Sequence, residues 1–181
     1  MKWRFGQLWV LLLLMTGCTL PITDGYHHEL PNSKTQVIVW GNHPAVVETT
    51  TTWLQKHGLL TLDPTTIGET LKTKDIRWTH TFQDERSILK AAQELGVQEV
   101  VFANRYGDRR APSVSVRGVD AKTNQLLWIG SGRYPEYLTQ PENDIVTKLT
   151  CQALATAWGY RLPGKDWVDS SIERCLVDEL Q

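Results

Sequence analysis

The hydrophobic positions of this chain form short continuous runs that alternate with stripes at helical spacing. Residues 36–40 (Gln-Val-Ile-Val-Trp) are a β-rich run, and continuous hydrophobicity over so few residues is typical of a strand buried on both faces. Four further elements are predicted after it: a helix over 44–57, a short strand at 59–62, a helix over 84–95 and a third strand at 97–103. The order strand, helix, strand, helix, strand favours an α/β sheet.

The second half of the chain has a different pattern. Residues 113–119 alternate with period two, 120–125 form a turn, and 126–132 return, which predicts an antiparallel β-hairpin. A long helix over 142–158 follows, and Ser170 or Ser171 begins a short final helix. The predicted fold is a single α/β domain in two or three layers. Its mixed sheet has about five strands in the order β-α-β-α-β-β-β-α, with an added C-terminal helix.

The first residues have the pattern of a targeting segment. Two basic residues precede the apolar run 8–14, which ends at Met15-Thr16-Gly17-Cys18, and this order is that of a secretory signal peptide. An uncleaved membrane anchor is the alternative, but a span needs roughly 20 apolar residues. The cysteine after Thr16-Gly17 resembles the lipobox of bacterial lipoproteins. The resemblance implies that residues 1–17 are removed and that Cys18 carries lipid, palmitate included.

The same resemblance implies a location. Thr19 follows the cysteine where an aspartate would signal retention, so we expect an outer-membrane lipoprotein that faces the periplasm. Residues 18–35 contain turn-forming residues without sustained periodicity, which predicts the lipidated N-terminus and a flexible tether. Residues 36–181 then form the single domain.

Net charge excludes one class of partner. The chain has 19 basic and 20 acidic residues, and removal of Lys2 and Arg4 leaves 17 against 20, a net charge of about −3. A nucleic-acid-binding domain has the opposite balance, so we expect no nucleic-acid partner. The expected contacts are the membrane, through the N-terminal lipid, and an envelope protein.

Two further cysteines remain once Cys18 carries lipid. Cys151 and Cys175 are an even pair in a chain directed to an oxidising compartment, which favours a disulfide between them. Two unrelated buried thiols, or a metal or nucleophilic role, are the alternatives.

Catalytic motifs are absent from the sequence. It has no G-x-S-x-G, H-E-x-x-H or Gly-rich phosphate loop, and Ser87-Ile88-Leu89-Lys90 matches S-x-x-K without the companion elements of penicillin-recognising enzymes. We therefore expect no catalytic residue, no metal and no cofactor.

One polar loop follows the third predicted strand, where α/β sheets commonly build ligand sites. Arginine and tyrosine side chains can bind an acidic partner, whereas a solvated connecting loop is the simpler alternative. The candidate partner-binding residues are Arg105, Tyr106, Asp108, Arg109 and Arg110.

The hairpin carries a recognisable motif. Asp120, Thr123, Trp128 and Gly130 match the pattern D-x-x-T-G-x-x-x-W-x-G, with Asn124 in place of the first glycine, a substitution that a left-handed turn accepts. The motif resembles the domain shared by curli-secretion lipoproteins and by lipoproteins that activate penicillin-binding proteins. The resemblance implies a non-enzymatic accessory or scaffold subunit of an envelope assembly or secretion system. A periplasmic small-ligand or glycan-binding module using the 105–110 loop is the alternative.

Overall fold

The computed structural model describes residues 22–28, 30–62, 64–73, 85–109, 111–134 and 141–159. Its strands are β1 (Ile22–His27), β2 (Gln36–Gly41), β3 (Leu60–Thr61), β4 (Glu99–Tyr106), β5 (Ser113–Asp120) and β6 (Leu126–Arg133). Its helices are α1 (Pro44–Lys56), α2 (Pro64–Thr73), α3 (Glu85–Glu94) and α4 (Glu142–Ala157). Across these ranges, no helix is both long enough and apolar enough to cross a membrane.

The strands form one open mixed sheet in the order β1-β6-β5-β4-β2-β3. Strand β2 is parallel to β3 and β4, whereas the pairs β4–β5, β5–β6 and β6–β1 are antiparallel. The predicted single α/β domain with a mixed sheet is thus confirmed, with six strands where about five were predicted. The final helix predicted from Ser170 or Ser171 lies outside the described residues.

The additional strand is β1, and it corrects the predicted tether. Residues 22–27 lie within the segment assigned to a flexible linker, yet they pair along their whole length with β6. Gly25 suggested a turn, but it serves close packing: a Cβ at this position would lie 2.5 Å from the carbonyl carbon of Thr156 in α4. A glycine chosen for contact with a helix cannot be distinguished locally from a turn glycine.

Helices cover both faces of the sheet. On one face, α1 and α4 bury Trp53, Leu54 and Leu149 among inward side chains of β2, β4, β5 and β6. On the other face, α2 and α3 pack Ile67 and Ile88 against β2, β4 and the end of β5. Strand β2 contributes to both clusters, as its continuous apolar run predicts.

The turn of the β5–β6 hairpin is fixed by Asp120. Its Oδ1 accepts hydrogen bonds from the backbone N–H of Lys122 at 3.0 Å and of Thr123 at 2.6 Å, and from Thr123 Oγ1 at 2.8 Å. Asn124 has φ of 61°, the left-handed conformation that asparagine tolerates. The residues of the hairpin motif therefore specify this turn.

Helix α4 lies unusually close to the sheet because glycines face it. A Cβ at Gly130 would overlap the carbonyl oxygen of Ala153, and one at Gly132 would lie 3.0 Å from the carbonyl oxygen of Leu149. Because the obstructing atoms belong to the helix backbone, they cannot move aside without displacing α4.

We predict that Gly130→Ala lowers the free energy of unfolding by about 2–4 kcal/mol, because overpacking must separate α4 from β6. Gly68→Ala in α2 is the matched control, since no atom lies within 4 Å of a Cβ there. The control should raise stability by about 0.5–1 kcal/mol through helix propensity. Urea unfolding followed by circular dichroism measures both; equal stability of the two variants would contradict the close contact.

Candidate functional site

The predicted polar loop begins at the end of β4, where Arg105 is held by the protein itself. The side-chain amide of Asn42 donates to the carbonyl of Arg105 at 2.8 Å, and the backbone N–H of Arg105 donates back to Asn42 Oδ1 at 2.7 Å. This reciprocal pair joins the loop after β2 to the end of β4. It fixes the backbone from which the 105–110 loop departs.

The guanidinium of Arg105 is used within the loop. It donates to the carbonyls of Gly107 and Asp108, both at 2.6 Å, and lies 2.8 Å from Glu142 Oε1 at the start of α4. Only 16% of the side chain is exposed. Arg105 thus shapes the loop and ties it to α4, and its contact with a partner stays a prediction.

Other predicted residues of the loop are on the surface. Tyr106 is 51% exposed, and the side chain of Arg109 is 90% exposed, with its Nε 3.8 Å from Glu142 Oε2. Asp108 Oδ1 accepts a hydrogen bond from the backbone N–H of Ala111 at 2.9 Å. Arg110 lies outside the described residues. A role for this loop in partner binding stays a prediction.

The cysteine predictions concern mostly undescribed parts of the chain. Cys18 and Cys175 both lie outside the described residues. Cys151 is buried in α4. Lipidation of Cys18 and the Cys151–Cys175 disulfide therefore both stay predictions.

A second polar site, which the sequence did not predict, lies at the opposite end of the sheet. Trp128 Nε1 donates a hydrogen bond of 2.6 Å to Glu99 Oε1. Trp128 is 0% exposed and Glu99 is 1% exposed. A Cβ at Gly118 would overlap both partners, so this glycine provides the space in which the two side chains meet.

Burial changes the acidity of Glu99. Loss of hydration raises the pKa of its carboxyl group from 4.5 to about 7, the hydrogen bond from Trp128 opposes that rise, and the charge of Asp120 adds to it. Glu99 Oε2 is buried and has no hydrogen-bond partner among the described residues. Glu99 is therefore an acid that changes charge near neutral pH and has one oxygen without a partner.

Asp120 lies beside Glu99 across the β4–β5 pair. The hydrogen bond from the Thr123 backbone N–H lowers the pKa of Asp120 most strongly, and partial burial opposes this effect. Hydrogen bonds from Thr123 Oγ1 and the Lys122 backbone lower the pKa further, as does the charge of Lys122. Near neutral pH, Asp120 is thus ionised while Glu99 is partly protonated. Two neighbouring carboxyl groups with different acidities make this end of the sheet electronegative.

A cavity of about 280 Å³ opens beside this carboxyl pair. Its walls come from the β1–β2 connection and from the adjoining ends of β4, β5 and β6. The residues that define its chemistry are Leu30, Asn32, Thr35, Glu99, Asp120 and Leu127. The described residues hold no group of three or more His, Cys, Asp or Glu side chains suited to a metal ion.

The sequence contained a signal for this site. Glu99 is an acidic residue directly before the apolar run 100–103, and a carboxyl group at a core position is rarely buried without a partner. The partner, Trp128, belongs to the hairpin motif. Only the β4–β5–β6 register shows that the two side chains meet.

No protein-family model and no curated protein matches the sequence. Among solved structures, a variant PelC dodecamer from Paraburkholderia phytofirmans aligns with a TM-score of 0.50 at 10% identity, over 76% of this chain and 97% of that chain. The LpoB C-terminal domain from Salmonella enterica aligns with a TM-score of 0.49 at 13% identity, over 57% and 84%. Lipoprotein GNA1162 from Neisseria meningitidis aligns with a TM-score of 0.49 at 19% identity, over 71% and 99%.

LpoB and a Neisseria lipoprotein are among these solved structures. At such identities the likeness concerns the fold, and a fold does not determine function.

The acidity of Glu99 predicts a specific dependence of stability on pH. Because its folded pKa lies above its ordinary value, the folded state holds the proton more tightly than the unfolded state. The free energy of unfolding should therefore fall by about 3 kcal/mol between pH 4.5 and 7 and level off above it. The contribution of Asp120 has the opposite sign and is confined to more acidic solution.

Urea unfolding of Glu99→Gln should lack this decline, since the amide keeps an acceptor for Trp128 and does not titrate. Glu48→Gln on the exposed side of α1 should retain it. A decline of equal size in Glu99→Gln would assign the effect to another group.

The contacts of the loop predict a difference between its two described arginines. Arg105→Ala should lower the free energy of unfolding by about 1–3 kcal/mol, because it leaves Glu142 and two carbonyls without their donor. Arg109→Ala should change it by less than about 0.5 kcal/mol, because that side chain is exposed. Thermal or urea unfolding of both variants measures the difference, and similar losses would refute the structural role of Arg105.

Proposed function

We propose that this protein is a non-enzymatic lipoprotein of the outer membrane, facing the periplasm, and that it serves as an accessory or scaffold subunit of a cell-envelope assembly. The observation that carries the proposal is the position of β1. Only residues 19–21 lie between Cys18 and the first residue of this strand. The predicted lipid attachment point is thus joined almost directly to the sheet.

This connection limits the distance between the domain and the membrane. Four residue steps span at most about 14 Å, so a lipidated Cys18 keeps Ile22 within that distance of its own backbone. Acyl chains anchor a protein through burial of their CH₂ groups, and stable attachment needs more than one chain. The anchor and the domain therefore act as one unit, without the long tether that the sequence suggested.

The sheet register supports one orientation of the domain in this proposal. Ile22 pairs with Arg133, Arg133 with Ser113, and Ser113 with Tyr106, so the loop after β4 would lie at the membrane-proximal end. Glu99 is at the other end of β4, about 23 Å away at strand spacing. A periplasmic partner would meet the Glu99 end first, and the loop would contact parts of the assembly close to the membrane.

An assembly role is compatible with the fold. PelC, which aligns with this fold, is a dodecamer in its solved structure, so the fold is compatible with assembly into an oligomer. In this proposal Cys18 would anchor the chain to the membrane. The 105–110 loop and the Glu99 end of β4 would each offer a surface to other subunits. The predicted Cys151–Cys175 disulfide would further fix the C-terminal segment in an oxidising compartment.

The cavity beside Glu99 supports a second candidate function, that of a small-ligand-binding module. The sequence placed such a site in the 105–110 loop. Arg105 is bound internally there, whereas the cavity at the opposite end of the sheet is lined by Glu99, whose buried Oε2 has no hydrogen-bond partner among the described residues. A ligand-binding role therefore belongs to the cavity more than to the loop.

Metabolic labelling with a palmitate analogue tests the anchor. The wild-type chain should be labelled and should fractionate with outer membranes, whereas Cys18→Ala should lose the label and leave that fraction. Label that persists in Cys18→Ala would refute lipidation at this residue.

Affinity capture after in-cell crosslinking tests the scaffold role. We expect the wild-type chain to recover an envelope protein, and insertion of a flexible 12-residue spacer before Ile22 should reduce recovery at least threefold, because it allows the domain to leave the membrane surface. Arg109→Glu combined with Arg110→Glu should reduce recovery if the membrane-proximal loop contacts the partner. Failure of the wild-type chain to capture any envelope protein would oppose the proposal.

A further inference from the structure

We infer that the cavity beside Glu99 is a binding site for a cationic end group, an alkylammonium or an alkylguanidinium, that pairs with the carboxyl groups of Glu99 and Asp120. The inference concerns the end of the sheet that carries Glu99, opposite the end where the 105–110 loop begins. It does not depend on lipidation or on a scaffold role. The occupant is either a small amine or the side chain of a lysine or arginine on a protein partner, and both present the same charged group.

The first support is the unpartnered oxygen of Glu99. Buried carboxyl groups in proteins are paired or hydrogen-bonded with few exceptions. Glu99 satisfies Oε1 through Trp128 Nε1 at 2.6 Å, while Oε2 is buried without a partner among the described residues. A cationic donor would supply the missing hydrogen bond and would offset the cost of burying the charge.

The second support is the sign of the charges around the cavity. Asp120 faces Glu99 from β5 and raises its pKa. Lys122 acts on Asp120 from the exposed side of the turn. An anion would be repelled by two carboxyl groups, so the site selects a cation.

The third support is the character of the walls. Leu30 and Leu127 provide apolar surface, and Asn32 and Thr35 provide polar groups near it. Apolar walls around a small number of polar groups fit an alkyl stem with a charged tip. Among the described residues, no group of three or more His, Cys, Asp or Glu side chains is suited to a metal ion.

Cation binding must be coupled to the proton on Glu99. The cation pairs with the ionised carboxylate, so binding releases the proton that Glu99 holds below its pKa of about 7. Affinity should therefore rise with pH, by up to tenfold per unit below neutrality, and become constant above it. An amine held only by Asp120 would show no such rise, because the pKa of Asp120 is lowered.

The test is a titration of the mature lipidated chain, in detergent micelles, with ethylguanidinium and n-butylamine. Calorimetry gives the affinity, and the indole N–H resonance of Trp128, assigned with Trp128→Phe, reports events at Glu99. We expect saturable binding that shifts the Trp128 resonance and is at least tenfold tighter at pH 7.5 than at pH 5.5.

Glu99→Gln is the decisive variant, because it keeps the acceptor for Trp128 and removes the charge. Its affinity should fall at least tenfold and lose its dependence on pH, whereas Glu48→Gln should match the wild type. Absence of saturable binding by the wild-type chain, or unchanged affinity in Glu99→Gln, would overturn the inference. If Glu99→Gln does not fold, the pH dependence of the wild type decides: affinity independent of pH would overturn the inference.

A third arm separates the two sources of the cation. A short peptide with a single arginine is compared with the same peptide carrying citrulline. Binding of the arginine peptide at least tenfold tighter than ethylguanidinium would assign the site to a protein partner. Equal affinity of the arginine peptide and ethylguanidinium would assign the site to a small amine. Equal affinity of the arginine and citrulline peptides would contradict a charge-selective site.

Discussion

The close contact of α4 with the sheet is the constraint on which the rest of the structure depends. Gly130 and Gly132 in β6 bring the strand backbone against the backbone of the helix, and Gly25 extends the same contact to β1. A helix this close buries Trp128 and fixes the positions of the hairpin strands. It also gives the first strand a surface to pack on, which turns a segment with turn-like composition into the edge of the sheet.

This arrangement buries the carboxyl group of Glu99, which is unfavourable in free energy. Burying a carboxyl group in the end of a core is unfavourable unless its oxygens are satisfied. Within the part of the chain that the structure describes, Oε1 has a partner, Trp128, and Oε2 has none. Gly118 leaves the space that both side chains occupy. The cation inferred to bind in the neighbouring cavity would supply the second oxygen of Glu99 with a partner.

The two ends of the sheet therefore have different characters. The β1 start, Arg133 and the 105–110 loop share one end, next to the predicted lipid attachment. Glu99, Asp120 and the cavity share the other. Antiparallel pairing of β1 with β6 creates this polarity, because it places the chain's entry point and the carboxyl pair about one strand length apart. Such a separation suits the proposed role, in which one end of the sheet is near the membrane and the other is available to a partner.

The sequence by itself determined the order of elements, the hairpin and its turn. Those depend on local periodicity and on local turn chemistry, as the buried run of β2 and the left-handed Asn124 illustrate. Only the tertiary structure decided that residues 22–27 are a strand, that Arg105 belongs to the loop's own framework, and that Glu99 meets Trp128. Each of these depends on a contact between residues far apart in the chain, and a local pattern carries no information about which distant backbone or side chain will be its neighbour.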